Sequence, residues 1–369
     1  MNTILPQIKS NKTNSSATTT KIKALIQKLY ETHTLEDEEY LYILDHITIH
    51  ETDYLFKKAY EAKQPYYQNR VFLRGLIEVS NYCVKGCLYC GINRKNTKIK
   101  RFRLTAQEIL DCCKRGMDLG YRTFVLQGGE DPYFTDDVVV DLIQSIKSSF
   151  PECRITLSLG ERSYTSYKRL YEAGADRYLL RHETASKRLY EFLHPNDSSY
   201  DNRIKCLKNL QAIGFQTGAG FMVGSPTQTN QDIIQDFRFL EELKPEMIGI
   251  GPYLCHEDTE LRGNTSGTLT ETFILVALTR LIVPTAMIPA TTALGTLDKL
   301  GRENALNVGA NVMMPNIGPI EQRELYEIYQ HKQLAKDTDE QNRDDTEKRI
   351  RAFFHVADYS VGDVYAWKG

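Results

Sequence analysis

Three cysteines, Cys83, Cys87 and Cys90, stand close together in the stretch Cys-Val-Lys-Gly-Cys-Leu-Tyr-Cys. Thiolates at this spacing can bind a soft metal centre, and the main candidates are zinc and an iron–sulfur cluster. Structural zinc normally takes four protein ligands, and neither a second Cys-x-x-Cys nor a nearby histidine supplies a fourth ligand here. The loop therefore predicts a metal centre with an open coordination position.

The other five cysteines form no second ligand set along the sequence. Free cysteine is commonly a small, buried apolar residue, so we expect these side chains to pack in the core. They are too irregularly placed for a disulfide framework, and they are Cys112, Cys113, Cys153, Cys206 and Cys255.

Further polar groups stand where predicted strands end. Gly128 and Gly129 let the backbone approach a ligand closely, although a glycine pair also suits a simple turn.

Arg181 and Glu183 are two positions apart on a predicted strand, so both can point into the same interior space. Buried charges are costly unless they are paired or bound to a ligand. A structural ion pair of Glu183 with Arg181 or Arg203 is the alternative to a ligand site.

The elements that position these residues alternate between short strand-like runs and amphipathic helical stretches. Eight such units over about 260 residues predict a (β/α)₈ barrel, in which functional loops follow the strands, although an open doubly wound sheet has similar periodicity. The predicted strands are 71–80, 123–127, 154–159, 176–182, 216–223, 247–253, 288–293 and 308–313. The predicted helices are 105–119, 136–149, 163–173, 201–213, 231–243, 268–282, 297–305 and 321–329.

Composition and charge divide the chain into four regions. We predict a disordered tail over 1–20, a helical segment over 21–68, the barrel over 69–330, and a charged extension over 331–369 that docks on the barrel. A net charge of −2 argues against nucleic acid as a partner. No run approaches the roughly 18–20 apolar residues of a membrane span, and the N-terminal residues lack a secretory core, so we expect a soluble cytoplasmic protein.

The cysteine loop, with an aromatic residue before its third cysteine, resembles the radical S-adenosylmethionine (SAM) superfamily. The resemblance implies a full or partial βα barrel and a 4Fe-4S cluster on the three thiolates, whose free iron binds the amino and carboxylate groups of SAM. One electron from the reduced cluster cleaves SAM to methionine and a 5′-deoxyadenosyl radical. In such chemistry the protein positions the cofactors and excludes water.

Additional segments between about residues 21 and 329 narrow the resemblance to the HydE family, the radical SAM maturases of FeFe hydrogenases. Biotin synthase and methylornithine synthase are relatives with the same barrel. The segments are Cys-Leu-Tyr-Cys-Gly at 87–91, Leu-Gln-Gly-Gly-Glu-Asp-Pro-Tyr at 126–133, Thr-Leu-Ser-Leu-Gly-Glu at 156–161, Asp-Arg-Tyr-Leu-Leu-Arg-His-Glu-Thr at 176–184, Thr-Gly-Ala-Gly-Phe-Met-Val-Gly at 217–224, Ile-Gly-Ile-Gly-Pro-Tyr at 248–253, Ile-Pro-Ala-Thr-Thr-Ala at 288–293 and Gly-Ala-Asn-Val-Met-Met-Pro-Asn at 309–316.

The resemblance also implies a SAM site. The segment 128–130 would hold the SAM ammonium, Glu183 would bind the ribose hydroxyls or the ammonium, and Arg203 would bind the carboxylate. Met222 would pack against adenine, although a plain core methionine is the alternative. The full set implied for SAM is Tyr89, Gln127, Gly128, Gly129, Glu130, Ser158, Glu183, Arg203 and Met222.

The implied substrate is a mononuclear Fe(II) carbonyl/cyanide complex that carries cysteine and is produced by the maturase HydG. The radical would attack the cysteine sulfur, and the product would pass toward the scaffold maturase HydF. An external donor such as ferredoxin or flavodoxin would supply the electron. Ordinary barrel packing accounts equally well for two of the implied cavity residues, Met314 and Tyr326. The implied cavity residues are Arg181, Thr291, Thr292, Met314 and Tyr326.

The cysteine pattern departs from the family at one point. Some HydE proteins bind a second cluster through cysteines in the C-terminal region, whereas no cysteine follows Cys255 here, so we predict a single cluster. Two other hypotheses remain open at this stage. One is a radical SAM enzyme like biotin synthase or methylornithine synthase that acts on a small organic molecule, and the other is a non-enzymatic iron–sulfur or zinc scaffold.

Overall fold

Three helices precede the first strand in the computed structural model, which describes residues 14–194, 198–332 and 338–367. The first helix begins at Ser16, before the predicted boundary at residue 21, because the Ser15 hydroxyl caps it by accepting from the Thr18 N–H at 3.2 Å. Residues 1–13 of the predicted tail lie outside the described residues. The three helices are α1 (Ser16–Thr32), α2 (Asp37–His46) and α3 (Ile49–Tyr67).

Strands and helices then alternate along the chain. The first half contains β1 (Arg70–Leu73), β2 (Gly75–Ser80), α4 (Ala106–Asp118), β3 (Thr123–Gly128), α5 (Asp136–Ser149), β4 (Arg154–Ser158), α6 (Tyr164–Glu172), β5 (Arg177–Leu179), α7 (Lys187–Leu193) and α8 (Tyr200–Ile213). The second half contains β6 (Gln216–Ala219), β7 (Met222–Val223), α9 (Asn230–Leu243), β8 (Met247–Ile248), β9 (Gly251–Pro252), α10 (Leu269–Ile282), α11 (Thr292–Leu297), α12 (Gly301–Asn307) and β10 (Val312–Met313).

The strands form a closed parallel barrel, which confirms the predicted fold class. Six of them pair in the order β2-β3-β4-β5-β6-β8. Single bridges of Met247 with Met287 and of Pro289 with Val312 continue the circle, and β10 pairs with β1 through Val312 and Phe72. The predicted strand over 288–293 does not form a ladder, because Pro289 has no N–H to donate to one. Parallel closure places every strand's C-terminal end at the same, upper end of the barrel.

Helix boundaries follow from local capping. At α4 the Thr105 hydroxyl accepts from the Glu108 N–H at 3.2 Å, while the Glu108 carboxylate accepts from the Thr105 N–H at 2.7 Å. This reciprocal capping box satisfies two N–H groups that the helix itself cannot bond. The helix therefore begins within one residue of its predicted position.

The C-terminal region contains α13 (Ile320–Arg323), α14 (Asp339–Ala352) and β11 (Val356–Asp358). β11 pairs in parallel with β1, and residues 361–365, here called the closing segment, continue beneath the barrel. The Asp363 carboxylate accepts from Arg154 at 3.0 Å and from Gln216 at 2.7 Å. Because those partners begin β4 and β6, the closing segment covers the N-terminal, lower end of the barrel.

Candidate active site

The three cysteines of the loop follow β2 at the upper end of the barrel, and all are free and half-buried. Burial raises the pKa of Cys83 and of Cys90, and it raises the pKa of Cys87 to about 12. Without a positive centre the thiols are therefore neutral, and a bound metal would stabilise them as thiolates. Within the described ranges, no three His, Cys, Asp or Glu side chains are close enough to hold one metal ion. A cluster fits this spacing better than a single zinc, since its cysteines bind different irons.

The backbone of the cysteine loop is held from below by side chains. The Arg101 guanidinium donates to the carbonyls of Ile92 and Asn93, both at 2.7 Å, and to that of Asn96 at 2.9 Å. The Asn93 amide donates to the Cys90 carbonyl at 2.6 Å. These bonds hold the backbone of Cys90 and of the segment that follows it, which has no regular secondary structure.

Gly129 lies directly against the loop and provides space for it. Its N–H donates to the Ser80 carbonyl at 3.2 Å, and the Val84 N–H donates to the Glu130 carbonyl at 2.9 Å. A Cβ at Gly129 would lie 2.2 Å from the carbonyl oxygen of Tyr82. A glycine is therefore required for the loop after β3 to approach the cysteines this closely.

Tyr89, between the second and third cysteines, is fixed by a histidine that the sequence analysis did not identify. The Tyr89 hydroxyl and His194 Nε2 are 3.0 Å apart, and His194 Nδ1 lies 2.9 Å from the Tyr190 carbonyl. Burial lowers the pKa of His194 to about 3, so the ring is neutral. Because a carbonyl can only accept, Nδ1 carries the proton, and the Tyr89 hydroxyl donates to Nε2.

An ion-pair network lies beside the loop. Arg203 Nε donates to the Glu161 carboxylate at 2.6 Å, and its NH1 donates to the Arg181 carbonyl at 2.6 Å. Lys85 Nζ lies 3.4 Å from Glu130 and 3.6 Å from Glu161. The carboxylate partner of Arg203 is thus Glu161 and not Glu183, which was the alternative considered from sequence. Glu161 closes the Thr-Leu-Ser-Leu-Gly-Glu segment, but pairing between separate loops leaves no signal in one sequence.

Arg181 and Glu183 face each other with 3.3 Å between NH2 and Oε2. Their strand was predicted to continue to residue 182, whereas β5 ends at Leu179 and Glu183 adopts a left-handed φ of 65°. Strand alternation is therefore not what brings the two side chains together. This contact is the ion pair of Glu183 with Arg181 that the sequence left open as the alternative to a ligand site. Its two atoms make no hydrogen bond of good geometry, and Arg181 Nε is buried without a hydrogen-bond partner in the described structure.

His182, between these two residues, points away from them into the core. Its Nδ1 accepts from the Gly220 N–H at 3.2 Å, and its Nε2 lies 3.2 Å from the Asp236 carboxylate. Burial lowers the pKa of His182 to about 3, whereas burial raises the pKa of Asp236. The buried histidine anchors the backbone that carries Arg181 and Glu183.

The remaining residues implied by the resemblance lie at the ends of other strands. Gln127 neighbours Ser158 in the β3–β4 ladder, and Gln127 Nε2 donates to the Tyr326 hydroxyl at 3.4 Å. Met222 packs in an apolar cluster that contains Tyr89. The residues that the resemblance implies for SAM and for substrate therefore lie at the upper end of the barrel.

Three of the residues that the resemblance implies for the substrate lie near α11 and after β10. Thr291 precedes α11, and its hydroxyl is buried without a hydrogen-bond partner among the described residues. Thr292 and Met314 line a cavity of about 230 Å³ beside the barrel mouth.

Comparison with known proteins agrees with this geometry. Residues 77–240 match the model of the radical SAM superfamily. A solved structure of methylornithine synthase (PylB) has a TM-score of 0.77, 25% sequence identity, and coverage of 90% of this chain and 97% of that chain. A solved structure of HydG, a maturase of the [FeFe]-hydrogenase, has a TM-score of 0.79 at 21% identity and covers 93% of this chain and 77% of that one. The fold and the cysteine loop thus define a radical SAM enzyme.

The chain is more similar in sequence to one hydrogenase maturase than to the proteins of these two structures. The [FeFe] hydrogenase maturase subunit HydE of Thermotoga maritima is 48% identical over 275 residues, which are 74% of this chain and 78% of that protein. The chain therefore belongs to the HydE family of radical SAM hydrogenase maturases. Membership implies a 4Fe-4S cluster and SAM as cofactors. The three free thiols and the glycine at their side fit such a cluster. No helix in the described ranges is long and apolar enough to cross a membrane.

Proposed function

We propose that the enzyme binds one 4Fe-4S cluster, through Cys83, Cys87 and Cys90, and uses it with SAM to make a precursor of the diiron subcluster of FeFe hydrogenase. The observation that carries this proposal is the loop of three free, half-buried thiols beside an ion-pair network at the barrel mouth. No cysteine follows Cys255 in the chain, which supports a single cluster.

The SAM site would use the groups around that loop. The backbone of 128–130 would bind the SAM ammonium, and Glu183, whose buried Oε2 forms an ion pair with Arg181 but no hydrogen bond within the described structure, would bind the ribose hydroxyls or the ammonium. Arg203 would bind the carboxylate through NH2, the terminal nitrogen not occupied by Glu161 or by the Arg181 carbonyl. Met222 and Tyr89 share one apolar cluster that would receive the adenine, and Gln127 and Ser158 would complete the site.

When bound, the cluster and SAM supply a 5′-deoxyadenosyl radical. The substrate would be the cysteine-bearing Fe(II) carbonyl/cyanide complex made by HydG, with attack at the cysteine sulfur. Arg181 and Thr291 would orient this complex through two buried donors, Arg181 Nε and the Thr291 hydroxyl, that have no hydrogen-bond partner in the described part of the chain. Thr292, Met314 and Tyr326 would form the wall that keeps water away from the reacting atoms.

The proposed place in the cell is the cytoplasm, with ferredoxin or flavodoxin as the electron donor and HydF as the recipient of the product. The HydE identity of 48%, against 25% to the methylornithine synthase structure, supports an organometallic substrate over a small organic one.

Anaerobic reconstitution with iron and sulfide, followed by an assay for 5′-deoxyadenosine, tests the proposal. We expect about four irons per chain, SAM cleavage under reducing conditions, and a sulfur-linked adenosyl product when the HydG-derived complex is added. SAM cleavage that this complex neither stimulates nor diverts would favour an organic substrate. A loaded cluster that never cleaves SAM would leave the loop as a metal scaffold.

A further inference from the structure

His256 lies in the segment between β9 and α10 and packs against the cysteine loop. The residue is 3% exposed. A Cβ at Gly91, the residue after Cys90, would lie 2.6 Å from both Cδ2 and Nε2 of His256 and 2.2 Å from the Glu327 carbonyl oxygen. A glycine is therefore required for the histidine ring to reach the backbone beside the third cysteine.

The histidine ring is held in one orientation by its own segment. Nδ1 accepts from the Asp258 N–H at 3.0 Å, and the His256 carbonyl accepts from the Thr259 hydroxyl at 2.8 Å. Because a backbone N–H can only donate, Nδ1 is the unprotonated nitrogen and Nε2 carries the ring proton. The ring thus presents an N–H donor to the backbone beside Cys90.

This donor has no acceptor in the part of the chain that the structure describes. His256 Nε2 is buried there without a hydrogen-bond partner. A buried donor without an acceptor is costly, and native proteins seldom retain one unless a bound group completes the hydrogen bond. The proposed 4Fe-4S cluster would bring acceptors to this point, because Cys90 is one of its three ligands.

The sulfurs of such a cluster accept hydrogen bonds, and these bonds affect its reduction potential. Reduction adds one electron, which the external donor of the proposed function supplies, and increases the negative charge on the sulfurs. A fixed N–H donor therefore stabilises the reduced cluster more than the oxidised cluster, which raises the reduction potential.

We infer that the Nε2–H of His256 donates a hydrogen bond to a sulfur at the Cys90 corner of the 4Fe-4S cluster and thereby raises its reduction potential. The inference rests on the proposed function, because it requires the cluster to bind at the three cysteines. In this tautomer neither ring nitrogen has a free lone pair for iron, so His256 acts as a hydrogen-bond donor and not as a fourth ligand.

The test is a redox titration of the reconstituted cluster without SAM, followed by EPR of the reduced state. His256→Leu removes the donor, so we expect at least a tenfold lower ratio of reduced to oxidised cluster at a fixed potential, which is about 59 mV for a one-electron couple. His256→Gln places an amide donor near the same point and should recover part of the loss. Iron content, measured beside each titration, reports whether the cluster is loaded.

His355→Leu is the matched control. His355 is also 3% exposed and has one ring nitrogen without a hydrogen-bond partner in the described ranges, but it lies directly before β11, beside the start of β1. It should titrate like the wild type. An unchanged potential in His256→Leu, or an equal shift in His355→Leu, would overturn the inference and leave the proposed function intact. Weaker SAM binding by His256→Leu at an unchanged potential would also overturn it, because the donor would then serve SAM.

A second measurement does not depend on the leucine variant. Pulsed EPR of the reduced cluster, in protein that carries isotope-labelled histidine, should show a weak nitrogen coupling that His256→Gln lacks. Absence of this coupling in the loaded wild type would overturn the role of His256 alone. A wild type that loads no cluster would overturn the proposed function and the inference with it.

Discussion

Buried charged side chains at the two ends of the barrel differ in how completely they are hydrogen-bonded. At the lower end, Arg177 donates to Thr123 at 3.2 Å and to the Val361 carbonyl at 2.8 Å, and it pairs with Asp363, so that only its Nε lacks a partner. At the upper end, Arg181 NH2 and Glu183 Oε2 form an ion pair at 3.3 Å without a hydrogen bond, and Arg181 Nε has no hydrogen-bond partner in the described structure. The contrast teaches that these buried charges are more completely hydrogen-bonded at the lower end than at the upper end, where the functional loops of βα barrels lie.

The largest effect should follow removal of a cysteine of the loop. Cys83→Ala, Cys87→Ala or Cys90→Ala leaves two thiolates for the cluster, so we expect loss of cluster iron and of all 5′-deoxyadenosine formation, measured after anaerobic reconstitution. Cys153→Ala, just before β4 at the lower end, serves as the control and should keep both. SAM cleavage by any of the three loop variants would contradict the ligand assignment.

Asp363→Ala should destabilise the lower end of the barrel without affecting the upper end. Arg177 is 2% exposed, and leaving it without a carboxylate should lower the free energy of unfolding by about 3 kcal/mol. Urea unfolding measures the change, and SAM affinity of the folded enzyme should be unaltered. Asp358→Ala, which removes the partner of the exposed Arg70, should cost no more than about 1 kcal/mol. Equal costs for both variants would remove the special role of the closing segment.

The same aspartate predicts a pH dependence. Burial disfavours ionisation of Asp363, but hydrogen bonds from Arg154 and the charge of Arg177 outweigh it and lower the pKa. A carboxyl whose folded pKa is lowered stabilises the protein above the unfolded pKa of about 3.9, and that contribution is lost as the pH falls through the folded pKa. The stability difference between wild type and Asp363→Ala should therefore be full at neutral pH and shrink below about pH 4.

At the upper end, Arg203→Ala should weaken SAM binding about 100-fold, or about 2.7 kcal/mol, because a charged hydrogen-bond donor is lost. Glu161→Gln keeps Arg203 but removes the charge that orients it, so we expect a loss of about tenfold. Equilibrium binding of SAM to cluster-loaded enzyme measures both. Unchanged affinity in Arg203→Ala would return this residue to a purely structural role.

The smallest expected effect concerns Tyr89. Tyr89→Phe removes the donor to His194 Nε2 and leaves a buried acceptor unsatisfied, so the free energy of unfolding should fall by about 1 kcal/mol. Tyr190→Phe is the matched control, because its hydroxyl is buried without a hydrogen-bond partner in the described structure and its loss should be close to neutral. Identical unfolding midpoints for the two variants would argue against the Tyr89–His194 bond.

The sequence predicted many of the repeating elements, because their signals are local, but the predicted helix over 297–305 is divided between α11 and α12 and the predicted helix over 321–329 is only α13. Helix α5 matches its predicted range of 136–149 from the apolar spacing alone. α7 was missed because it is only seven residues long and lies inside what reads as a loop. β11 was missed because three residues beside β1 carry no periodicity, and their pairing depends on where the C-terminal region lies in space.

Site residues could be predicted from sequence where their spacing along the chain indicates a ligand, but not where their role depends on contacts between loops. The three cysteines are recognisable from their own segment. The choice of Glu161 rather than Glu183 as the partner of Arg203 depends on how the loops after β4 and β5 meet α8.

The closing segment also has a consequence for how the protein is made. The Tyr365 N–H donates to the Tyr67 hydroxyl across a separation of 298 residues, and Asp363 joins strands that are synthesised much earlier. During synthesis, the lower end of the barrel stays uncovered until the closing segment has left the ribosome. Long-range contacts of this kind slow folding and prolong the exposure of unfinished surfaces. A nascent chain halted before residue 361 should therefore engage chaperones more strongly than one released after residue 365.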